Sequence, residues 1–298
     1  MSDKNIINAY WSDLYNTKHK EMRNSWWESP RIIRHINQTI CGEPLDGWNA
    51  GPIKLLKQIL PENEMLERAL SIGCGLGQKE MTFIEENIVN QFVCFDLSTE
   101  GIKKARESAE EKGLSDRILF LNEDFFESKY ANETFDMVFW DNSLHHMMDA
   151  TAAVQKSYDV LKEGGIFFCN DFVGKNRFQW SDMEIAIANG IRVFFSDDLF
   201  ILPDGRRMAR FIRRPELQHM IETDPSEAAD SEAIIPAVKA IFKDPFIVPT
   251  GGIVYHNTIQ FILNNIPEDS ELLTYLLELD NEAIKMGLTC YAFALAVK

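Results

Sequence analysis

The sequence predicts an α/β fold built on a doubly wound, mostly parallel sheet, because short apolar runs alternate with charged, helix-compatible segments. The runs are apolar at consecutive positions, as expected of parallel strands covered by helices on both faces. The predicted strands span residues 69–74, 91–97, 118–122, 135–140 and 165–172, and the predicted helices between them span 79–87, 99–112 and 150–162. Right-handed crossovers would place the loops that follow these strands at one edge of the sheet, where open α/β sheets bind ligands.

The rest of the chain predicts additions to this core. Residues 1–60 are rich in aromatic side chains and are broken by Pro30, Pro44 and Pro52, which predicts an N-terminal cap of short helices. The sheet-forming core would span 61–174, and 175–250 would be a helical insertion after strand five, lying over the ligand edge. Residues 251–298 would complete the core. A short strand is predicted just before this region, at 246–249, and a last strand at 288–297, which gives seven strands in all. Helices are predicted between them at 253–266 and 268–286.

Composition excludes several classes of partner. The 298 residues are 45% hydrophobic and 26% charged, which is ordinary for a globular protein, but the formal net charge is −16. Such a charge disfavours binding to nucleic acid and to anionic membranes. The five cysteines form no CxxC pair and no zinc-like cluster, so we expect reduced thiols and no metal. No apolar run has the length of a membrane span, and a cytoplasmic protein is expected.

A glycine-rich turn follows the first predicted strand and opens a helix. Residues 71–77 read Ser-Ile-Gly-Cys-Gly-Leu-Gly, and glycines are needed where a backbone turns sharply and approaches a ligand. The spacing is GxGxG, and Gln78 stands where the nicotinamide-type GxGxxG pattern has its third glycine. This spacing disfavours an NAD-dependent oxidoreductase.

Acidic residues follow the next two strands. Asp96, with Leu97 beside it, ends strand two, where a carboxylate can accept hydrogen bonds from both ribose hydroxyls. The alternative, a cap for the following helix, suits Ser98 better. Asp124 and Phe125 follow strand three, where an acid and an aromatic ring can grip an adenine; the alternative is an ordinary acidic loop.

This order of motifs resembles the class I, seven-stranded, SAM-dependent methyltransferases, which have a Rossmann-like fold. Residues 135–140 and 161–165 match further motifs of that family. The resemblance implies that the cofactor is S-adenosylmethionine (SAM), that S-adenosylhomocysteine (SAH) is the product, and that these residues bind the cofactor: Ser71, Gly73, Gly75, Gly77, Asp96, Leu97, Asp124, Phe125 and Asp141.

The chain departs from that family at Ser71, where an acid usually stands two residues before the first glycine. Tyr10, Trp11 and Trp48 could compensate by closing over the sulfonium, since aromatic faces attract cations. The alternative is that these rings only pack the helical cap.

The acceptor site is expected in the loop after strand four, which holds His145 and His146. Either imidazole would suit a general base, although one of the two could be structural. We expect Asn170, Asp171 and Trp180, after strand five, to contact the substrate. Asp141, Asn170 and Asp171 could instead hold magnesium, but the flanking sequence favours no metal.

A cluster of five arginines interrupts the acidic chain at 206–214. Arg206, Arg210 and either Arg213 or Arg214 could share a helix face. Arg206 and Arg210 would then bind an anionic acceptor, since guanidinium groups recognise phosphate and carboxylate. The alternative is local salt bridging. The sequence thus predicts a methyltransferase for a small molecule, anionic if the arginines bind it, with oxygen or nitrogen as the favoured acceptor atom. A silent SAM-binding partner subunit is the alternative, and the oligomeric state is left open.

Overall fold

A single seven-stranded sheet organises the chain, in a computed structural model that describes residues 3–16, 25–62, 64–128, 130, 132–202 and 204–298. Its strand order is β3-β2-β1-β4-β5-β7-β6, with only β7 antiparallel to its neighbours. The strands are β1 (Leu66–Ile72), β2 (Val89–Phe95), β3 (Ile118–Leu121), β4 (Phe135–Asp141), β5 (Leu161–Phe172), β6 (Phe246–Gly252) and β7 (Thr289–Val297). The predicted fold class, a mostly parallel seven-stranded sheet, is confirmed.

Helices cover both faces of the sheet. They are α1 (Asp3–Asn16), α2 (Pro30–Cys41), α3 (Ala50–Ile59), α4 (Gln78–Glu85), α5 (Thr99–Glu111), α6 (Ala150–Val160), α7 (Asp182–Arg192), α8 (Leu217–Thr223), α9 (Ile234–Ile241) and α10 (Glu271–Lys285). Alternate strand residues enter two separate cores: Phe168 joins the one beneath α2, α4, α5 and α10, and Phe167 joins the one beneath α6 and α9. This alternation explains why the strands are apolar at consecutive positions.

The sheet order places the ligand edge at its centre. Strand β1 lies between β2 and β4, so the chain winds in opposite directions from this point. The loops after β1, β2, β3 and β4 therefore converge at one crevice, the usual ligand site of an open α/β sheet. Among the described residues, no helix is both long and apolar enough to cross a membrane.

The predicted helix at 253–266 is wrong. A π-helical turn at Val254–Ile259 and a 3₁₀ turn at Leu263–Asn265 stand there instead. Phe261, with φ of 71°, breaks the segment, and the buried Asp280 carboxylate accepts the N–H groups of Val254 and Tyr255. The predicted sharing of a helix face by the arginines at 206–214 is also wrong: the described part of that segment is not helical, and an isolated bridge pairs Ile201 with Arg207. The predicted division into four regions stays a prediction.

Candidate active site

The glycine turn after β1 has the backbone that its sequence predicts. Gly73, Gly75 and Gly77 have φ of 71°, 55° and 69°, a region that favours glycine. A Cβ on Gly73 would lie 2.6 Å from Cβ of Ser143, and one on Gly75 would lie 2.7 Å from the hydroxyl of Tyr15. The contact with Ser143 leaves no room for a side chain at Gly73, whereas at Gly75 the atom met is the end of the Tyr15 side chain and the positive φ is what favours glycine.

Asp96 fixes this turn from the neighbouring strand. Its Oδ2 accepts the N–H of Gly75 at 2.8 Å, and its Oδ1 accepts the N–H of Ser98 at 2.7 Å. Burial raises the pKa of Asp96, and these two N–H groups partly oppose that rise. Ser98 caps α5, as expected, by accepting from Gly101. Asp96 and Leu97 both line a cavity of about 500 Å³ over the turn, which we name the glycine-loop cavity.

Asp124 and Phe125 also line the glycine-loop cavity. Asp124 accepts the N–H of Phe126 at 2.8 Å, and its second oxygen lies 2.7 Å from Nζ of Lys4. Phe125 is buried against Trp140, and Nζ of Lys156 lies 4.5 Å from its ring centroid. The two residues predicted to hold the adenine therefore line the same cavity as Asp96.

Ser71 lies below the turn, outside the residues that line the cavity. Its hydroxyl donates to Oε1 of Glu80 at 2.6 Å, and both side chains are buried. Desolvation raises the pKa of Glu80 to about 7, and the Ser71 hydrogen bond opposes that rise. The sequence analysis missed Glu80; the only signal was the absence of an acid at position 71.

Asp141 ends β4 and reaches the glycine-loop cavity. Its carboxylate accepts from Nζ of Lys79 at 2.9 Å, Nε1 of Trp48 at 3.2 Å and Nδ2 of Asn49 at 2.5 Å. Asp141 thus ties the N-terminal helices to the sheet. Lys79, one residue before Glu80, was also missed by the sequence analysis, which offered no local signal for it.

A second, larger cavity of about 950 Å³ adjoins the first, and we name it the aromatic cavity because many aromatic rings line it. Tyr10, Trp26 and Trp48 from the N-terminal helical region contribute to it, as do Phe172 and Tyr291 from β5 and β7. The two cavities share five described wall residues: Trp11, Trp27, Lys79, Asn142 and His146. The two cavities therefore adjoin along these shared residues.

His145 lies at this junction and is held by Asp171. Nδ1 of His145 is 2.5 Å from Oδ1 of Asp171, whose Oδ2 accepts the N–H groups of Ser143 at 2.9 Å and Leu144 at 2.7 Å. Burial lowers the pKa of His145, but the Asp171 carboxylate outweighs it, so the pKa lies above its ordinary value. Asp171 is buried and absent from both cavity walls; it orients His145 rather than facing either cavity.

His146 faces both cavities. Its Nδ1 lies 3.1 Å from the hydroxyl of Ser226, and the ring of Trp11 packs edge-on with centroids 5.2 Å apart. Burial, together with the neighbouring His145, lowers the pKa of His146 to about 4, so its imidazole is neutral at pH 7. Glu227, which was missed because 81 residues separate it from His146, lines the aromatic cavity beside the two histidines.

The other residues predicted to bind substrate lie in different places. Asn170 donates to Oδ1 of Asn49 at 3.3 Å and is buried outside both cavities. Trp180 is buried behind Phe178, on which its ring stacks at 5.8 Å. Arg206 lines the aromatic cavity and pairs with Asp204 at 2.7 Å.

Arg210 lies away from both cavity walls. Its guanidinium donates to the carbonyl oxygens of Arg192 at 2.9 Å and Phe195 at 2.8 Å and pairs with Asp197. Its donors are thus used within the region that carries the arginine cluster, which supports the alternative of local bridging at this position.

Comparisons with known proteins agree with this architecture. The chain is 31% identical to a 27-O-demethylrifamycin SV methyltransferase of Amycolatopsis mediterranei over 36% of the chain and 39% of that protein. It is 28% identical to a sterol 24-C-methyltransferase of Pneumocystis carinii over 43% of the chain and 34% of that protein. The chain thus spans little more than a third of the length of these relatives.

A solved geranyl diphosphate methyltransferase, in complex with GPP and sinefungin, shares the fold with a TM-score of 0.55 at 13% identity, over 99% of both chains. The family model described as a methyltransferase domain matches residues 64–232, more than half of the sequence. The chain therefore belongs to the methyltransferase-domain family.

Proposed function

We propose that the protein transfers the methyl group of SAM to a small molecule bound in the aromatic cavity. The main observation that supports this proposal is a wall shared by the glycine-loop cavity and the aromatic cavity. It is formed by Trp11, Trp27, Lys79, Asn142 and His146. Methyl transfer is an in-line displacement, so donor and acceptor must approach from two sides of one junction. Two adjoining cavities supply that arrangement.

SAM fits the glycine-loop cavity in this proposal. Asp96 would accept the ribose hydroxyls, and Asp124 with Phe125 would hold the adenine, since all three line that cavity. The glycines allow the backbone to approach the cofactor closely. Trp11 and Trp27 lie in the shared wall and offer aromatic faces to the sulfonium, whose positive charge they attract.

The acceptor would meet His145 and His146 at the junction. His146 is neutral at pH 7 and can accept a proton from the acceptor, and His145, oriented by Asp171, can do so in its neutral form. This arrangement favours an acceptor with a hydroxyl or amine. Arg206, at the same cavity, would meet an anionic group of that acceptor.

The experiment is turnover of SAM carrying a deuterated methyl group, in a metabolite extract, read by mass spectrometry. We expect a labelled small molecule to accumulate together with SAH. The variant Asp96→Asn, which loses the proposed ribose contact, should label the extract much more slowly than the wild type when SAM is limiting. Label found only in protein, or no label although calorimetry shows that SAH binds, would contradict the proposal.

A further inference from the structure

His145, His146 and Glu227 offer the donor set of a metal site on the acceptor side of the junction. One ligand atom from each lies within 4.8 Å of the others, and Nε2 of His145 is 3.7 Å from Oε1 of Glu227. All three side chains line the aromatic cavity. We propose that they bind one divalent first-row transition metal ion. The part that this ion would take in the reaction rests on the function proposed above.

The histidine nearest to the carboxylate is already oriented as a metal ligand needs to be. Asp171 accepts from Nδ1 of His145 at 2.5 Å, which fixes the ring and leaves Nε2 as the atom directed towards Glu227. Carboxylate–histidine pairs of this kind set the tautomer and orientation of metal-bound imidazoles. Asp171 itself is fixed by the N–H groups of Ser143 and Leu144, so the orientation is built into the backbone.

The loop that carries Glu227 is anchored against the histidines. The N–H of Ala229 donates to the carbonyl oxygen of His145 at 3.1 Å, and a guanidinium nitrogen of Arg177 donates to the carbonyl oxygen of Glu227 at 3.2 Å. These backbone contacts hold the residue, while its side chain remains 27% exposed and can turn. Closing the ligand atoms from within 4.8 Å to the roughly 3–3.5 Å spacing around one ion is therefore a side-chain movement.

The charges around the cluster call for a cation. The negative charge around His145 comes from the carboxylates of Asp171, Asp224 and Glu227. The guanidinium of Arg177 interacts electrostatically with Asp224 and Glu227. With both imidazoles neutral, as metal ligands must be, three carboxylates and one guanidinium leave two negative charges. Moreover, Oδ2 of Asp224 is buried and meets no donor among the described residues. One dipositive ion would neutralise this group of charges.

The donor atoms indicate which ions to use. Two imidazole nitrogens and one carboxylate suit Zn²⁺, Mn²⁺ or Co²⁺ better than Ca²⁺, which prefers oxygen alone. The remaining coordination positions would face the aromatic cavity, so an acceptor oxygen bound to the ion would be held beside the shared wall. Coordination would also make an acceptor hydroxyl more acidic, so that its proton would pass to solvent water; the oxygen would then take the methyl group from SAM, and SAH would leave.

The test is metal binding by the full chain after removal of metals with a chelator. Calorimetric titration with Zn²⁺ and with Mn²⁺, and the visible spectrum with Co²⁺, should show one saturable site. Glu227→Gln and His146→Gln should weaken binding at least tenfold. The matched control is His219→Gln, which removes an exposed histidine on α8 and should bind like the wild type. Absence of saturable binding, or equal affinity in the wild type and Glu227→Gln, would overturn the site.

Circular dichroism melts show whether each variant folds. If His146→Gln does not fold, Glu227→Gln still tests the metal site, because the Glu227 side chain is partly exposed. Turnover in the labelled extract then separates this proposal from the proposed function. Metal-dependent labelling supports both. Undiminished labelling by the stripped protein contradicts a part for the metal in the reaction and still supports methyl transfer. Metal and SAH binding without any labelling supports the site and contradicts the methyl transfer.

Discussion

The hydroxyl of Ser71 donates a 2.6 Å hydrogen bond to Oε1 of Glu80, so a carboxylate carried by helix α4 lies beside the end of strand β1. Ser71 stands where related sequences are expected to carry an acid. The acid is therefore present at this place in the fold, but it comes from nine residues later in the chain. Oε2 of Glu80 is buried and has no hydrogen-bond partner among the described residues.

Glu80 makes stability depend on pH. Its pKa rises from 4.5 to about 7 on burial, so the folded state keeps a proton that the unfolded chain releases, and stability falls as the pH rises through this window. Glu80→Gln keeps an acceptor for Ser71 and carries no charge. We expect it to raise the free energy of unfolding at pH 8 by up to about 3 kcal/mol and to change it little at pH 5.

Urea denaturation at the two pH values measures this difference. Glu85→Gln, at the exposed end of the same helix, is the matched control and should shift both values equally. An equal gain for Glu80→Gln at pH 5 and pH 8 would show that its carboxyl group does not titrate in this window.

We expect the Asp96 carboxylate to contribute to cofactor affinity, both by holding the glycine turn and by contacting the ribose. Asp96→Asn loses the charge that accepts the N–H groups of Gly75 and Ser98, and it loses the proposed ribose contact. Hydrogen bonds to a charged group are worth about 1.5–3 kcal/mol, so calorimetry should show SAH binding weakened by about 10- to 100-fold. Asp116→Asn, an exposed change before β3, is the control. Unchanged SAH affinity in Asp96→Asn would remove Asp96 from the proposed site.

Asp171 is expected to act through His145 and not by contact with the acceptor. Asp171→Asn should lower kcat at least tenfold and leave the acceptor KM nearly unchanged, because its side chain orients the imidazole and lines neither cavity. Asp280→Asn is the matched control, since it is also a buried carboxylate that accepts backbone N–H groups, from Gly252, Val254 and Tyr255. It should lower the melting temperature without changing kcat. A rise in KM alone for Asp171→Asn would indicate substrate contact instead.

The sheet and the glycine turn were predictable because local sequence dictates them. Consecutive apolar residues mark strands buried on both faces, and Gly73 and Gly75 have the positive φ that favours glycine. The segment 253–266 was not predictable, because its apolar spacing also suits a helix. What interrupts the helix is the left-handed backbone of Phe261, with φ of 71°. Asp280, buried and distant in sequence, instead holds the start of the π-helical turn by accepting the N–H groups of Val254 and Tyr255.

The sequence predicts the site residues that directly follow strand ends. It does not predict contacts between loops that are distant in sequence. His145 and Asp171 were each expected at the ligand edge, but their contact was not. Glu227 gave no signal, since only the fold of the region after β5 brings it to the histidines. The sequence pattern groups the arginines, whereas the structure separates them by position: the guanidinium of Arg210 donates to carbonyl oxygens of its own region, and Arg206 lines the aromatic cavity.

That separation gives a paired prediction for Arg206 and Arg210. Arg206 lines the aromatic cavity, and its side chain is 57% exposed, so Arg206→Gln should raise the KM of an anionic acceptor about tenfold and leave the melting temperature unchanged. Arg210→Gln should do the reverse, because its loss leaves the carbonyl oxygens of Arg192 and Phe195 without their donor, at a cost of about 1–3 kcal/mol. Kinetics with the acceptor from the labelled extract and thermal melts of both variants measure this. An unchanged KM in Arg206→Gln, with an acceptor that carries phosphate or carboxylate, would assign Arg206 to the structural group as well.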